Sequence, residues 1–585
     1  MLRSERLIMG AKLQSESPLR NWSRLPWKVP AAIVSGAMLA GAYPPFESWQ
    51  GAWFGLVPLL LAVLITALAG RPPESAAEEG RLVIPRGNVI RQSFRLGFIS
   101  GAVFWLVTLS WLLSLVRTSP APAVLIVLGW LLLAGYCAFY MGAFAMTLAW
   151  AVGAVGVGKL WRTLLLTFGI VVFWVGFEYG RSVLFGGYPW NMLGVSQYKV
   201  TAFIQIAVWV GVPGVSAMVA LLNAGIVFTI LRYLPGYREA QYRPHFELFV
   251  GLMVVAFCFR FGFMTIRNYP SQPGRLVVTA VQPAIPQITK WTDEHVDRIH
   301  STLRNMTEAA VGGEQKPDMV VWPETATPLC VTQEGDSQDL VRDLSRHGVP
   351  LLVGSMDVEV TNNTMRCFNS SFLFDEKGQL VARYDKQHLV PFGEYIPLSG
   401  FIPWLARLAP MGWNCSAGTE ATIFKVGTPP TLFACLICFE DVMADLSRAA
   451  VRRGARLLIN QTNDAWFDGS AGPEQHLSHC VFRCVENRVP ALRVANSGVT
   501  CLIEPTGTVV EPTENSFGLI PTPALREWTL SVPAADMPLT PYAKYGDRYF
   551  AIPCAAVTAL CFAAALMAIR RERRSSVDEV ETKHA

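Results

Sequence analysis

Between residues 27 and 268 the chain consists largely of apolar runs about 20 residues long, separated by short pieces that carry arginine and lysine. Crossing the hydrocarbon core of a bilayer takes about 20 apolar residues in a helix. No water is available there to satisfy a backbone N–H or C=O, so such runs fold as helices or not at all. Eight are present, at roughly 27–43, 51–70, 96–116, 123–151, 163–180, 212–231, 246–266 and 549–569. They also explain why only 16% of the residues are charged, where about 25% is usual for a soluble domain. The first run is short and holds Pro30, so a cleaved signal peptide is the competing reading. It lies late, however, and continues into "AYPPFESW" without a small-x-small cleavage site.

The charges between the runs orient the chain. With residues 1–26 inside, the pieces on the cytoplasmic side, including the tail 570–585, carry twenty-one Lys and Arg. The short outer loops carry three, Arg117, Arg181 and Lys199. This is a strong positive-inside asymmetry. It places both termini in the cytoplasm and residues 270–540 outside it, in the periplasm of a bacterial inner membrane. The positive residues flank apolar runs instead of lining a groove, and the net charge is only +5, so nucleic acid is excluded as a partner.

Residues 270–540 read as an ordinary globular domain. "RLVVTAVQ" is strand-like, "DEHVDRIHSTLRNMTEAA" an amphipathic helix, "DMVVWPE" a strand, "SQDLVRDLSRHG" a helix and "PLLVGSMDV" a strand. "CFNSSFLFDEKGQLVARYDK" has the form of a hairpin turning at Lys377-Gly378. Strand "TLFACLI", helix "DVMADLSRAAVRRG" and strand "RLLIN" follow. The alternation indicates a layered α/β domain. No internal repeat is visible.

Four side chains at strand ends have chemically matched types: Glu324 in "VVWPE", Lys386 in "ARYDK", Glu394 in "PFGEY" and Cys438 in "ACLICFED". A thiol opening a helix has its thiolate favoured by the unpaired N–H groups there. A nearby carboxylate can take the thiol proton, and an ammonium can stabilise an oxyanion. Taken one at a time, a Glu or Lys at a strand end reads better as a solvated surface charge, and Cys435-x-x-Cys438 could also be a redox or metal pair.

"VVWPETATP", "YDKQHLVPFGEYIP" and "CFED" are similar to the Glu-Lys-Cys motifs of the nitrilase (carbon–nitrogen hydrolase) superfamily. With "NDAWFDGSAGPEQHL", "RVPALRVANSGVT", "TPYAKYGD", "FEYGRSVLFGGYPWNMLG" and "VQPAIPQITKW", the wording resembles the membrane-embedded apolipoprotein N-acyltransferase family along nearly the whole chain. The resemblance implies an αββα sandwich at 270–540 carried on the membrane helices. It makes Glu324 the general base, Lys386 the oxyanion stabiliser and Cys438 the nucleophile. Glu394 becomes a second essential acid, Glu440 a supporting acid, and Trp291, Asn369 and Phe439 site-lining residues. The implied reaction moves an acyl chain from a membrane phospholipid through a Cys438 thioester to the α-amine of a diacylglyceryl-cysteine apolipoprotein. It needs no cofactor or metal and is expected of a monomer. The alternatives are a membrane-tethered amidase with water as acceptor, and a transporter or sensor carrying a degenerate domain. Pro283-Ala284 and Phe439 depart from the family's usual Gly-Asn and Tyr.

Other features leave choices open. On this reading Cys435 is a buried core thiol. His476, His479, Cys480 and Cys484 are zinc-ligand types at a spacing that fits no common closed site. The resemblance argues instead for a buried helix. Cys330, Cys367 and Cys415 could supply a disulfide of undetermined pairing. Glu178 and Arg181, three apart at the outer end of the fifth run, suggest a structural pair. Segment 398–414, rich in Trp, Phe and Leu, is expected either to pack on its own domain or to form a lid in the lipid interface.

Overall fold

The computed structural model describes residues 26–70, 87–157, 159–234, 245–290, 292–313, 315–361, 364–397, 399, 414–467, 469–513 and 522–584. Every apolar run becomes a helix: α1 (Lys28–Ala40), α2 (Val57–Ala69), α3 (Gly87–Thr108), α4 (Ala123–Val155), α5 (Leu160–Val183), α6 (Ala207–Tyr233) and α7 (Phe246–Arg267). Among the described residues six helices are long and apolar enough to cross a membrane, namely α2 with its lead-in from Trp49, α4 to α7, and the last helix of the chain. The count is seven if α3 and Ser110–Thr118, which meet at a 45° bend, are taken as one broken span. The helix formed by the first run, α1, has 13 residues. At about 1.5 Å per residue it is shorter than the roughly 30 Å core.

The lipid-facing surface is legible in exposure. Leu132 on α4 (65%) and Phe257 on α7 (62%) lie open among other large apolar side chains. Without a hydrophobic drive between helices in lipid, close packing depends on small residues. Gly101 on α3 is one: a Cβ there would stand 2.9 Å from the Ala138 Cα of α4.

The outer domain is two six-stranded sheets packed face to face. The first has the order β12-β1-β2-β3-β4-β5, from β1 (Gly274–Gln282), β2 (Met319–Val321), β3 (Leu351–Thr361), β4 (Thr364–Phe374), β5 (Leu380–Asp385) and β12 (Ala524–Val532). The second has the order β11-β10-β9-β8-β7-β6, from β6 (Phe424–Val426), β7 (Thr431–Ile437), β8 (Leu457–Thr462), β9 (Ala491–Ala495), β10 (Cys501–Ile503) and β11 (Val509–Val510). Each has three central parallel strands, an antiparallel edge strand and an antiparallel extension of two. The two sheets therefore share one pattern of strand directions, differing in that the edge strand β12 comes from the end of the domain and β6 directly precedes β7.

Inward-facing residues such as Val278, Leu352, Phe433, Ile459 and Leu492 make the core between the sheets. Helices α8 (Val296–Val311) and α9 (Asp336–Ser345) cover the first sheet. Helices α10 (Ala444–Arg452) and α11 (Gly472–Asn487) cover the second. This is the expected αββα sandwich. Helix α11 is buried throughout its length, because it is wedged between its own sheet and α6 of the membrane bundle. Its Cys480 and Cys484 sit in the apolar core, and His476 pairs with Asp441 and Asp464. Helix α12 (Ala551–His584) runs on beyond the expected span through the tail. Segment 400–413 and Trp291 lie outside the described residues.

Candidate active site

The topology places the chemistry at strand ends. Glu324 lies three residues past β2, Lys386 directly after β5 and Cys438 directly after β7. Glu324 comes close to β3 only because residue 354 is glycine; a Cβ there would lie 2.8 Å from the Glu324 Cα. The Gln461 Nε2 of β8 donates to the Trp322 carbonyl at 2.6 Å, fastening the Glu324 turn across to the second sheet.

Three of the expected residues converge with Asn369. Lys386 Nζ donates to Glu394 Oε1 at 2.9 Å and lies 3.4 Å from Glu324 Oε1. The Asn369 Nδ2 donates to Glu324 Oε1 at 2.8 Å and Glu394 Oε1 at 2.9 Å. The amide must face this way, since only its nitrogen can donate to two carboxylates. Lys386 is 1% exposed and Glu324 6%. Burial works against the Lys386 ammonium, but Glu394, Glu324 and the Cys438 sulfur outweigh it and hold its pKa well above the ordinary range. It therefore stays charged, as an oxyanion partner must.

Cys438 adopts φ +53°, the left-handed region that non-glycine residues seldom occupy. The strand turns sharply there into the 3₁₀ segment Cys438–Val442. The Cys438 carbonyl accepts from Asn460 Nδ2 at 3.0 Å, which pins the turn. Burial and then Glu324 push the thiol pKa up, against a smaller opposing pull from Lys386. The direction runs against the expectation of a thiolate favoured by a helix start, so the nucleophile relies on a base to take its proton. Cys435 is 2% exposed and lies in the inter-sheet core, with Ser371 Oγ 3.4 Å from its sulfur. It is the core thiol expected.

Glu440 is a brace between strand ends. Its Oε1 accepts from the N–H groups of Gln387 (2.7 Å) and His388 (3.1 Å), and Oε2 from that of Ile437 (2.7 Å). The Tyr384 hydroxyl lies within 3.0 Å of both oxygens. Burial pushes its pKa up to about 7, with the Ile437 N–H and Lys386 pulling it back. The lysine-bearing end of β5 is thereby held against the cysteine turn.

Phe439 joins the domain to the membrane part. Its ring stacks on Trp190 (centroids 5.8 Å, 10°), Tyr188 (6.3 Å, 13°) and His388 (6.0 Å, 27°). Tyr188 and Trp190 belong to the loop after α5, whose carbonyls accept from Arg181. Glu178 Oε1 accepts from the Leu193 N–H at 2.6 Å. Glu178 and Arg181 each bond the loop after α5, Arg181 through the Tyr188 and Trp190 carbonyls and Glu178 through the Leu193 N–H.

Several residues of the site went unrecognised in the sequence. Arg493 bonds Asp441 (3.1 Å) and Asp464 (2.6 Å) under the cysteine turn. His476 bridges the same two carboxylates at 2.7 and 3.1 Å. Gln475 Oε1 accepts from Trp190 and Asn191, while its Nε2 donates to the carbonyls of Pro44 and Thr108. Lys290, fully buried, donates to the Glu324 carbonyl and to Thr325 Oγ1. Burial lowers its pKa to about 7 against the pull of Glu324. All lie inside quoted motifs, and only their co-occurrence pointed to them.

A sandwich that brings a carboxylate, a charged lysine and a partly exposed thiol together on top of a helical membrane bundle is a carbon–nitrogen hydrolase domain adapted to a bilayer. Residues 277–522 match the carbon-nitrogen hydrolase family and residues 35–225 the apolipoprotein N-acyltransferase N-terminal domain. The apolipoprotein N-acyltransferase of Geobacter metallireducens is 33% identical over 479 residues, 82% of this chain and 85% of its own. That of Brucella suis biovar 1 is 30% identical over 487 residues, 82% of this chain and 86% of its own. The chain belongs to the apolipoprotein N-acyltransferase family. Among solved structures, Saccharomyces cerevisiae Nit3 of the nitrilase superfamily is similar at 19% identity and TM-score 0.32, over 44% of this chain and 90% of its own.

Proposed function

We propose that the protein transfers a fatty acyl chain from a membrane phospholipid to the α-amine of a diacylglyceryl-cysteine apolipoprotein, through a thioester on Cys438. The observation that carries this reading is the buried group of Glu324, Lys386, Glu394 and Asn369 beside the strained Cys438 turn. Glu324 takes the thiol proton as sulfur attacks the ester carbonyl, and the Lys386 ammonium holds the developing oxyanion. The proton passes to the departing lysophospholipid oxygen. In the second half, the acceptor amine attacks the thioester, Glu324 removes its proton and passes it to the departing Cys438 sulfur, leaving an amide, the free thiol and the carboxylate ready for another cycle. Glu394 and Asn369 keep Lys386 and Glu324 in place.

The Phe439–Trp190–Tyr188 stack supports a lipid substrate, because it continues the cysteine turn into the membrane bundle as an apolar wall. The positive-inside pattern supports an outward, periplasmic domain spanning 270–540, with both termini in the cytoplasm. Radiolabelled phospholipid supplied with a diacylated N-terminal cysteine peptide tests the reading. Label is expected in the peptide; label released only as free fatty acid would make the protein a hydrolase.

A further inference from the structure

Strand β4 and the segment that follows the Glu394 turn meet at one point, with a cysteine on each side. Cys367 and Cys415 are partners in a parallel backbone bridge, and the Ser416 N–H donates to the Cys367 carbonyl at 2.7 Å. Bridged neighbours have Cα atoms about 5 Å apart, inside the roughly 4.4–6.8 Å that a disulfide requires. The two thiols hydrogen-bond each other, and both side chains are buried in a small cluster with Met356. Cys330 is half-buried close to Cys367, so three thiols compete, and the backbone bridge singles out Cys415.

We propose that Cys367 and Cys415 are joined by a disulfide in the working enzyme, and that this bond clamps the Glu394 turn to the strand carrying Asn369. The Cys415 N–H donates to the Glu394 carbonyl at 2.8 Å. Asn369 stands two residues from Cys367 on β4, on the same face, with its Nδ2 on both Glu324 and Glu394. Fixing the Cys367–Cys415 crossing therefore fixes the geometry of two of the three carboxylates around the site. The inference rests on the outward orientation proposed above, since disulfides persist outside the cytoplasm.

The chemistry closes with a thiol–disulfide oxidoreductase as oxidant. One thiolate attacks the oxidant's disulfide to give a mixed disulfide, and the second thiolate displaces the oxidant as a dithiol. Two protons and two electrons leave the cysteine pair and the same number reduce the oxidant.

Full-length protein in membranes is blocked with N-ethylmaleimide, digested without reduction and read by mass spectrometry. The expected products are a linked pair of peptides holding Cys367 and Cys415, with Cys330 alkylated. Phosphine reduction should then slow single-turnover acylation of Cys438 by about threefold or more, as positioning of Glu394 loosens. Cys415→Ser should acylate at that slower rate and be indifferent to phosphine. Alkylation of both cysteines, a Cys330–Cys367 link, or unchanged acylation after reduction would overturn the proposal. The same digest reports the acyl adduct on Cys438. An adduct beside an alkylated pair sinks the disulfide and leaves the function standing, whereas an intact link with no adduct on any substrate sinks the function instead.

Discussion

At the scale of residues, Cys438 and Cys435 are three apart and chemically identical, yet they occupy opposite environments. One sits in a strained left-handed turn beside Glu324 and Lys386, the other in the inter-sheet core. Cys438→Ala should abolish transfer, and Cys435→Ala should keep most of it, measured with labelled phospholipid. Equal losses would mean the two thiols act as a pair. Lys386→Arg replaces a compact ammonium with a wide planar fork in a fully buried slot. It should cost about a hundredfold or more in acylation rate, as loss of an oxyanion donor does. Turnover near normal would mean the lysine acts only through its field. Glu440 meets four donors and no acceptor. Glu440→Gln would turn an NH₂ toward N–H groups and should destabilise by about 1–3 kcal/mol, read from thermal melting. Glu324, Lys386, Glu394 and Cys438 were legible in the sequence because each sits in a distinctive motif. Asn369 was legible only through resemblance, since an asparagine inside "CFNSSFLF" has no local feature that predicts a bridge between two carboxylates.

At the scale of elements, the cysteine turn rests on α11 and β9 through Arg493, Asp441, Asp464 and His476. Removing Arg493 would strand two buried carboxylates, so Arg493→Met should cost about 3–5 kcal/mol. Burial lowers the His476 pKa, but Asp441 and Asp464 outweigh it and raise it to about 9. Its ordinary value is about 6.5. A histidine raised in the folded state stabilises fully below its unfolded pKa and loses that contribution as pH rises through the folded one. Stability should therefore fall by about 3 kcal/mol between pH about 6.5 and 9, and His476→Gln should flatten that slope in melting curves. A slope unchanged by His476→Gln would place the titration elsewhere. Elements with strong periodicity, such as β1, α8, β7 and the β4–β5 hairpin, follow the sequence closely. Strand β2 is shorter than "DMVVWPE" suggests, because Trp322 to Glu324 leave the sheet to form the catalytic turn. Strands β9 to β11 were not readable from local pattern, and the burial of α11 was legible only through the resemblance, since a helix covered on both sides loses its amphipathic stripe.

At the scale of the whole molecule, the membrane bundle and the sandwich share one continuous apolar core that runs from α2 and α6 to α11 and β9. Gln475 and the Trp190–Phe439 stack lie along that seam. Of the eight expected spans, six or seven appear among the described residues as helices long enough to cross, while the first run gives only a 13-residue helix; the seam was not legible, because it joins residues hundreds of positions apart. A reporter active only in the periplasm should work when fused after Pro270 and be silent when fused after Arg574; the reverse would overturn the orientation. The central claim is that Cys438 carries the acyl chain between two substrates. Mass spectrometry of the full chain after a single turnover with phospholipid alone should find one acyl group on the peptide holding Cys438. Adding a diacylated peptide should remove that adduct and return the same mass on the peptide's α-amine. An adduct on another residue, or transfer that proceeds with Cys438 unmodified throughout, would contradict the account.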